Sequence, residues 1–529
     1  MASNPAGLSR LGTAHRGPVD FTDVAVRLHE RDDVAIAKTP LLPRMVLNLN
    51  GEEITIGQMI PPGHKVALRF IPKGAEIRRY GQIIGFASDD IAPGRHVHTQ
   101  NVEVHQGELK LDYAFGADYH PVEMVPEAER RTFMGYRRRD GRIGTRNYVA
   151  VLASVNCSST ATRRVADYFR DNPIMDQFPN VDGVIGFPTK GGCGAHYGSD
   201  YLGLLQKTMA GIVDHPNIGG YIILSLGCET NQPQDLIENT SLNKDKPLVL
   251  TIQLDGGFRQ SVQDGIEAVK RLLPEANKAQ REPVSASEIT LALQCGGSDG
   301  WSGVTANPAL GRAADEIVRQ GGTVVLGETS EVYGGEHLLT RRAVSEEVGQ
   351  KLVDKIHWWE DYTSMFGTEI DNNPSPGNKL GGLTTIYEKS LGAIAKAGTT
   401  PMTDVVGYAE RITTRGFVHM DTPGYDPVSV TGQVAGGCNI VCFTTGRGSA
   451  FGFKPSPSIK IATNSELYAK QEPDMDINAG KMLDGVSLDE VGLEIFDRIL
   501  AVASGEKTKS ELDGIGEEEF NPWIIGATL

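Results

Sequence analysis

Tyr148-Val149-Ala150-Val151-Leu152-Ala153, with Cys157 four residues beyond it, is the stretch on which the fold turns. A run of this length without a charged side chain cannot alternate between core and solvent, so it reads as a strand buried on both faces. Three further runs have the same form. Val184-Ile185-Gly186-Phe187 precedes Cys193, Tyr221-Ile222-Ile223-Leu224 precedes Cys228, and Ile289-Thr290-Leu291-Ala292-Leu293 precedes Cys295. Helical patterns lie between several of them, at residues 160–170 and 260–273. Strand–helix alternation predicts a parallel α/β sheet with right-handed crossovers, and Thr323-Val324-Val325-Leu326, ending near Glu328, reads as one more strand.

Working outward toward the N-terminus, short β-like runs from Val24 to Tyr113 are separated by Pro61-Pro62-Gly63, Pro72-Lys73-Gly74 and Pro93-Gly94, the pattern of a small all-β unit. The charged stretch from Glu123 to Arg139 reads as a connector. Toward the C-terminus, short strands are expected at residues 417–420, 439–443 and 459–462, and an amphipathic helix from Leu488 to Val502. The expected organisation is a disordered tail over residues 1–20, a β domain over 21–115 and a linker over 116–140. A central α/β domain over 141–395 and a C-terminal α/β domain over 396–529 complete it. The fold class is therefore multidomain α/β, with a small N-terminal all-β domain followed by parallel α/β regions.

The bulk numbers fit this reading. A chain of 529 residues is too long for one core. Glycine supplies 62 of them, about 12% against a usual value of roughly 7%, which suits many tight turns and close backbone approaches. The net charge of −16 argues against nucleic acid or an anionic membrane as partner, since both are bound through clustered cations. A small anionic substrate needs only a few local cations and stays open. No run of about 20 apolar residues is present, and the first residues lack the apolar core of a signal peptide, so the expected location is the cytoplasm. Six cysteines are too few for a disulfide scaffold and are expected as reduced thiols. The expected assembly is a homo-oligomer.

In open parallel sheets ligands collect at the carboxyl ends of strands. Cys157, Cys193, Cys228 and Cys295 all fall at such ends, the last three beside glycines, which gives four thiols a geometric reason to converge on a metal. Inert packing is the plainer alternative and a catalytic thiol without metal the third, and Cys438 and Cys442, within an expected strand, are read as packing. An iron with an open coordination position, either mononuclear ferrous ion or part of an iron–sulfur cluster, would act as a Lewis acid on a substrate hydroxyl. Polar loops around residues 141–147, 296–303, 373–379 and 444–448 offer Arg146, Asn147, Ser298, Asp299, Asn378, Lys379 and Arg447, a set suited to a polyhydroxy carboxylate. Glu331, Glu336 and His337 follow a strand end as candidate proton carriers or helix-dipole partners. His96 and His98 alternate along a strand of the β unit and so share one face, as a base, as metal ligands or as idle surface groups.

Taken in order, residues 141–147, Leu226-Gly227-Cys228-Glu229, Gln294-Cys295-Gly296-Gly297-Ser298-Asp299, Thr305-Ala306-Asn307-Pro308, 373–379, 444–448 and 460–467 resemble the altronate/galactarate dehydratase family of sugar-acid hydro-lyases. The β unit, with Gly63-His64-Lys65-Val66-Ala67-Leu68 and His96-Val97-His98, is similar to that family's SAF (β-clip-like) domain. The resemblance implies iron-dependent removal of water from an aldonate or aldarate to give a 2-keto-3-deoxy acid. His96-Val97-His98 and Cys438 look closer to the altronate branch, and residues 342–349 closer to the galactarate branch. A lyase acting on another C3-substituted 2-hydroxy acid such as sulfolactate, an electron-transfer protein with an iron–sulfur cluster, and a non-catalytic sugar-acid sensor are the alternatives.

Overall fold

The computed structural model describes residues 18–104, 109–244 and 247–526. It divides into two compact units, one of Met1–Glu108 with Asp371–Lys389, the other of Leu109–Ile370 with Ser390–Leu529. The first seventeen residues of the expected tail lie outside the described residues; Val19–Asp20 is a short strand paired with Val46–Leu49.

The first unit is built of short strands in three sheets. Its four-stranded sheet runs Ala25–Val26, Val34–Ala37, Lys65–Ala67, His96–Val97, antiparallel throughout. The Pro-Gly turns do what their sequence predicts: Gly63, Gly74 and Gly94 take φ of 79°, 77° and 76°, where a side chain would strain the backbone. At Gly94 a Cβ would also lie 2.0 Å from the Thr55 carbonyl oxygen. Ala35, Leu41, Leu47, Ile54, Ile60 and Val66 form the core beneath. Distant in sequence, the short helix Pro376–Leu380 and the turn after it belong to this unit, anchored by a capping box between Ser375 and Asn378.

The second unit holds two parallel sheets. One has the order Gly183–Phe187, Tyr148–Ala153, Ile218–Ser225, Leu248–Thr251. Helices Asn156–Arg170 and Phe258–Ala276 cover one face, and Asp200–Val213 packs on the other, which is why the strands are apolar on both sides. The other sheet has seven strands: Met402–Val406, Gly416–Met420, Thr323–Leu326, Thr290–Cys295, Ile440–Thr445, Ser458–Ala462 and Ile477–Asn478. Among the described residues no helix is long and apolar enough to cross a membrane.

Two expected boundaries move. Thr290–Cys295, assigned from sequence to the central domain, pairs with Ile440–Thr445 and so joins the C-terminal region's sheet; the chain passes between the two units at 370/371 and 389/390 rather than at 395. The stretch 116–140 is not a free connector either, because Thr132–Arg137 forms a strand between Ile143–Gly144 and Arg281–Ser285. Phe133, Gly135 and Tyr136 are its buried residues, with Thr132, Met134 and Arg137 exposed, a pattern hidden by the charges around it.

Candidate functional site

Three imidazoles meet in the first unit. The antiparallel pairing of Lys65 with Val97 and Val66 with His96 brings His64 opposite His98 one step further along. His64 Nδ1 lies 3.0 Å from His96 Nε2, and the ring centroids are 4.9–5.1 Å apart in all three pairs. One nitrogen from each ring falls within 4.8 Å of the other two, the spacing a single ion requires. His64 Nε2 sits 3.2 Å from the Leu380 carbonyl, which fixes that ring from outside as metal-bound imidazoles are usually fixed. His96 and His98 are held by a turn in which the Asn101 amide donates to the His96 carbonyl and accepts from the His98 N–H. Burial, then the neighbouring imidazoles, push His96 down to about 3; burial, then Lys65, push His98 down to about 4. Both rings are therefore neutral at pH 7, with lone pairs to give. His98 Nδ1 is buried without a hydrogen-bond partner, an orphan that a bound cation would satisfy. Lys379 contributes to the His98 depression, so its ammonium stands within electrostatic reach.

The floor of this site is a fully buried ion network. Lys65 Nζ donates to Glu388 Oε2 at 2.9 Å and to the Gly382 carbonyl at 2.7 Å, and Arg79 donates to Glu388 Oε1 at 2.5 Å. Burial alone would raise the Glu388 carboxyl, but Lys65 and Arg79 with Thr384 hold it down to about 2. Lys65, desolvated and sharing its counter-ion with Arg79, is pulled down to about 8. Two cations on one carboxylate tie the segment after Pro376–Leu380 to the sheet that carries the histidines.

The thiols separate into two sets. Cys157, Cys193 and Cys228 are exposed, at the carboxyl ends of three adjacent strands of the four-stranded sheet. Their loops are knitted together: Asn156 N–H donates to the Gly191 carbonyl, Asn231 N–H to the Gly192 carbonyl, and the buried Glu229 accepts from Ser154 Oγ at 2.6 Å and Gly227 N–H at 2.6 Å. A Cβ on Gly192 would lie 2.4 Å from the Ser154 carbonyl oxygen, which accounts for the glycine beside Cys193. Gln253 donates to Cys228 Sγ at 3.3 Å. Among the described residues these three sulfurs do not form a group within 4.8 Å, so their spacing is wider than one mononuclear ion holds.

Cys295 does not join them, since it ends a strand of the other sheet. It is buried with Glu328 and Glu331, and those three do fall within 4.8 Å. The space is already served by a cation: Lys396 Nζ donates to Cys295 Sγ at 2.8 Å and lies 3.9 Å from Glu328 Oε2, and Glu331 Oε2 is 3.6 Å from the same sulfur. Burial works against the Lys396 charge, but Cys295, Glu328 and Glu331 outweigh it and hold the ammonium above its ordinary range. The expected convergence of four thiols thus fails at Cys295 for a topological reason. Cys438 and Cys442 are fully buried core groups whose thiols burial pushes far up.

The remaining candidates are placed as follows. Arg146 and Asn147 lie at the amino end of their strand, opposite the thiols. All five Arg146 donors are taken, by Glu511 twice and by the Thr145, Val502 and Glu506 carbonyls, so none is left for a substrate carboxylate. The Asn147 amide is likewise committed to Asn180 and Ala276 carbonyls. Asp299 is buried and accepts from Trp301, Ser302, Thr463 and Asn464, a hub for the strand-end loops. Beside it Ser298 is buried, whereas Arg447 is exposed, its backbone N–H fixed to the Gly297 carbonyl at 2.9 Å. Asn378 caps its own helix. Glu336, at a helix start, is pushed up to about 7 by burial and then by Glu360, the range of a group that exchanges protons at neutral pH. His337 beside it is lowered by burial.

Sequence reasoning passed over His64 and Lys396. For His64 a signal existed: a histidine directly before a strand that pairs with the strand of His96 and His98. Lys396 had none, because its meeting with Cys295 depends on packing between distant elements.

Comparison with known proteins gives three family matches along the chain. Residues 23–105 match a family described as altronate/galactarate dehydratase SAF domain, residues 135–277 the D-galactarate dehydratase/altronate hydrolase second domain, and residues 286–528 the D-galactarate/altronate dehydratase C-terminal domain. Altronate dehydratase of Escherichia coli (strain K12) is 35% identical over 492 residues, covering 93% of this chain and 97% of that protein. Galactarate dehydratase (L-threo-forming) of the same organism is 38% identical over 516 residues, covering 94% and 96%. The (2R)-sulfolactate sulfo-lyase subunit beta of Chromohalobacter salexigens is 31% identical over 398 residues, covering 74% of this chain and 97% of that subunit.

Proposed function

Since the chain belongs to the altronate/galactarate dehydratase family, we propose that it is a metal-dependent hydro-lyase acting on a sugar acid such as altronate or galactarate. The proton at C2 and the hydroxide at C3 leave as water, and the resulting enol tautomerises to a 2-keto-3-deoxy acid. Hydroxide is a poor leaving group and the C2 proton only weakly acidic, so both need stabilised charge. The observation that carries the metal assignment is the set of three converging imidazoles, His64, His96 and His98, with an orphaned ring nitrogen among them. Iron is the metal we propose there; a bound ion supplies Lewis acidity toward a carboxylate or hydroxyl. Lys379 supplies a cation for a substrate carboxylate within the same unit, and Glu336 is the proton carrier we propose in the other. We further propose a cytoplasmic homo-oligomer.

A second centre has its own support. Cys157, Cys193 and Cys228 stand exposed on adjacent strand ends, too far apart for one ion, an arrangement suited to three thiolates on an iron–sulfur cluster.

The test is anaerobic purification with iron and sulfide analysis, followed by turnover assays on altronate, galactarate and sulfolactate. Loss of one iron with sulfide unchanged in a His64→Ala/His96→Ala variant is the expected result for the histidine site; sulfide lost in Cys157→Ser, Cys193→Ser and Cys228→Ser supports the cluster. Full turnover by chelator-treated, metal-free protein would overturn metal dependence. Turnover of sulfolactate alone would move the assignment to carbon–sulfur lysis, the reaction class of the 31% identical relative.

A further inference from the structure

We infer that the second unit binds a small organic polyanion in a cleft at the amino ends of its strands, away from the strand-end thiols. The cavity measures about 760 Å³, within the usual range for metabolite pockets. One wall is the helix Asp200–Val213 and the turn His215-Pro216 that leads into the strand Ile218–Ser225. The other is formed by Thr290 and Thr323, the first residues of two strands of the seven-stranded sheet, and by the loop 409–415. The strand that begins at Thr290 ends at Cys295, about 17 Å away at an ordinary rise per residue, so this cleft and the strand-end thiols occupy opposite ends of the fold.

Charge decides what fits. Among the described residues the lining contains Arg142, Lys207, Arg411 and Arg415 against Asp214 and Glu288, four cations to two carboxylates, in a chain whose net charge is −16. Arg142 is paired with Asp214 at 3.0 Å and Arg415 with Glu288 at 3.1 Å. That leaves Lys207 and Arg411, which make no ion pair among the described residues, as the surplus. A local inversion of sign inside a cleft concentrates anions. Ser241 and Thr413 add hydroxyls suited to a polyol or carboxylate, while those of Thr240 and Thr414 donate to the Leu236 carbonyl and to Asp404. Among the described residues no Phe, Tyr or Trp lines the cavity, so a nucleobase would find no aromatic ring to stack on there. The ligand class is a non-aromatic metabolite carrying two or more carboxylates or phosphates. This inference does not depend on the catalytic reading.

Isothermal titration calorimetry of the full chain with citrate and, separately, with inorganic phosphate tests it. Three proteins are compared: the wild type, Lys207→Ala/Arg411→Ala, and His64→Ala/His96→Ala as the control for chelation at the histidines. The double variant removes two exposed side chains and is checked for an unchanged unfolding transition. Expected are one equivalent of bound anion in the wild type, retained affinity in the histidine variant, and about tenfold or more loss in Lys207→Ala/Arg411→Ala. The tighter of the two probes tells whether carboxylate or phosphate is the recognised group. Binding unaltered by Lys207→Ala/Arg411→Ala, lost in the histidine variant, or absent for both probes at millimolar concentration would overturn the proposal.

Discussion

His64, His96 and His98 in one unit and Cys295, Glu328 and Glu331 in the other satisfy the same distance condition, three ligand atoms within 4.8 Å. They differ in what neutralises them. The imidazoles are uncharged at pH 7, and the nearest buried ammonium, Lys65, donates to Glu388 and the Gly382 carbonyl rather than toward them. The Cys295 group has Lys396 donating directly to its sulfur. A buried acidic cluster must be compensated, and an ammonium does that as well as a metal does. Ligand-like geometry is therefore weak evidence for a metal until the charge around it has been counted.

The sharpest way to break this contrast is to measure metal in variants of both clusters. His64→Ala, His96→Ala and His98→Ala are each expected to lower bound iron and to reduce turnover by about 10²-fold or more, with unfolding transitions near the wild type. Cys295→Ser is expected to keep its full iron. Metal lost from Cys295→Ser and retained in the histidine variants would reverse the assignment of the two clusters.

Next in size is Lys396→Met. Removing one partner of a buried charged group typically costs about 3–5 kcal/mol, because the remaining charges are left without compensation. Lys396 is 1% exposed and Glu328 is 2% exposed, so solvent screening gives little relief. Denaturant unfolding of the purified protein should show a loss of that order, with no change in bound iron. A loss well below 1 kcal/mol would mean that the carboxyls beside it are already neutral and that Lys396 is not their counter-ion.

The parallel sheets were legible in the sequence because buried strands are written as unbroken apolar runs, and residues 148–153, 184–187 and 221–224 all became strands of one sheet. Neighbourhood across the fold was not. The run ending at Cys295 looks like the other three, yet it pairs with Ile440–Thr445, because local pattern specifies a strand and not its partner. The same limit hid Thr132–Arg137, whose partner strand Arg281–Ser285 lies far along the chain. At the site, His96 and His98 were visible through their period-two spacing, since alternation is a local property. The role of Arg146 was misread because a cation in a glycine-rich loop looks the same whether its partner is a substrate or Glu511, which lies in a distant part of the chain.

The smallest expected effect concerns Glu336, a third way of burying a carboxyl, with neither metal nor ammonium. Burial pushes it from 4.5 up to about 7, and its Oε2 is buried without a hydrogen-bond partner. Between pH 4.5 and about 7 the folded protein keeps this proton while the unfolded chain has released it. Stability from this group is therefore highest below 4.5 and declines as the pH rises through that window. Gln resembles the protonated form in shape and does not titrate, so Glu336→Gln removes the decline. A shift of this size corresponds to an upper limit of about 3 kcal/mol, and in a protein of this length to a few degrees of melting temperature. Melting curves of the wild type and Glu336→Gln are expected to agree near pH 4.5 and to separate toward pH 8, with the variant the more stable. If the difference between the two is flat across that range, Glu336 is ionised in the folded state, and its environment must then contain a compensating cation, as that of Glu328 does.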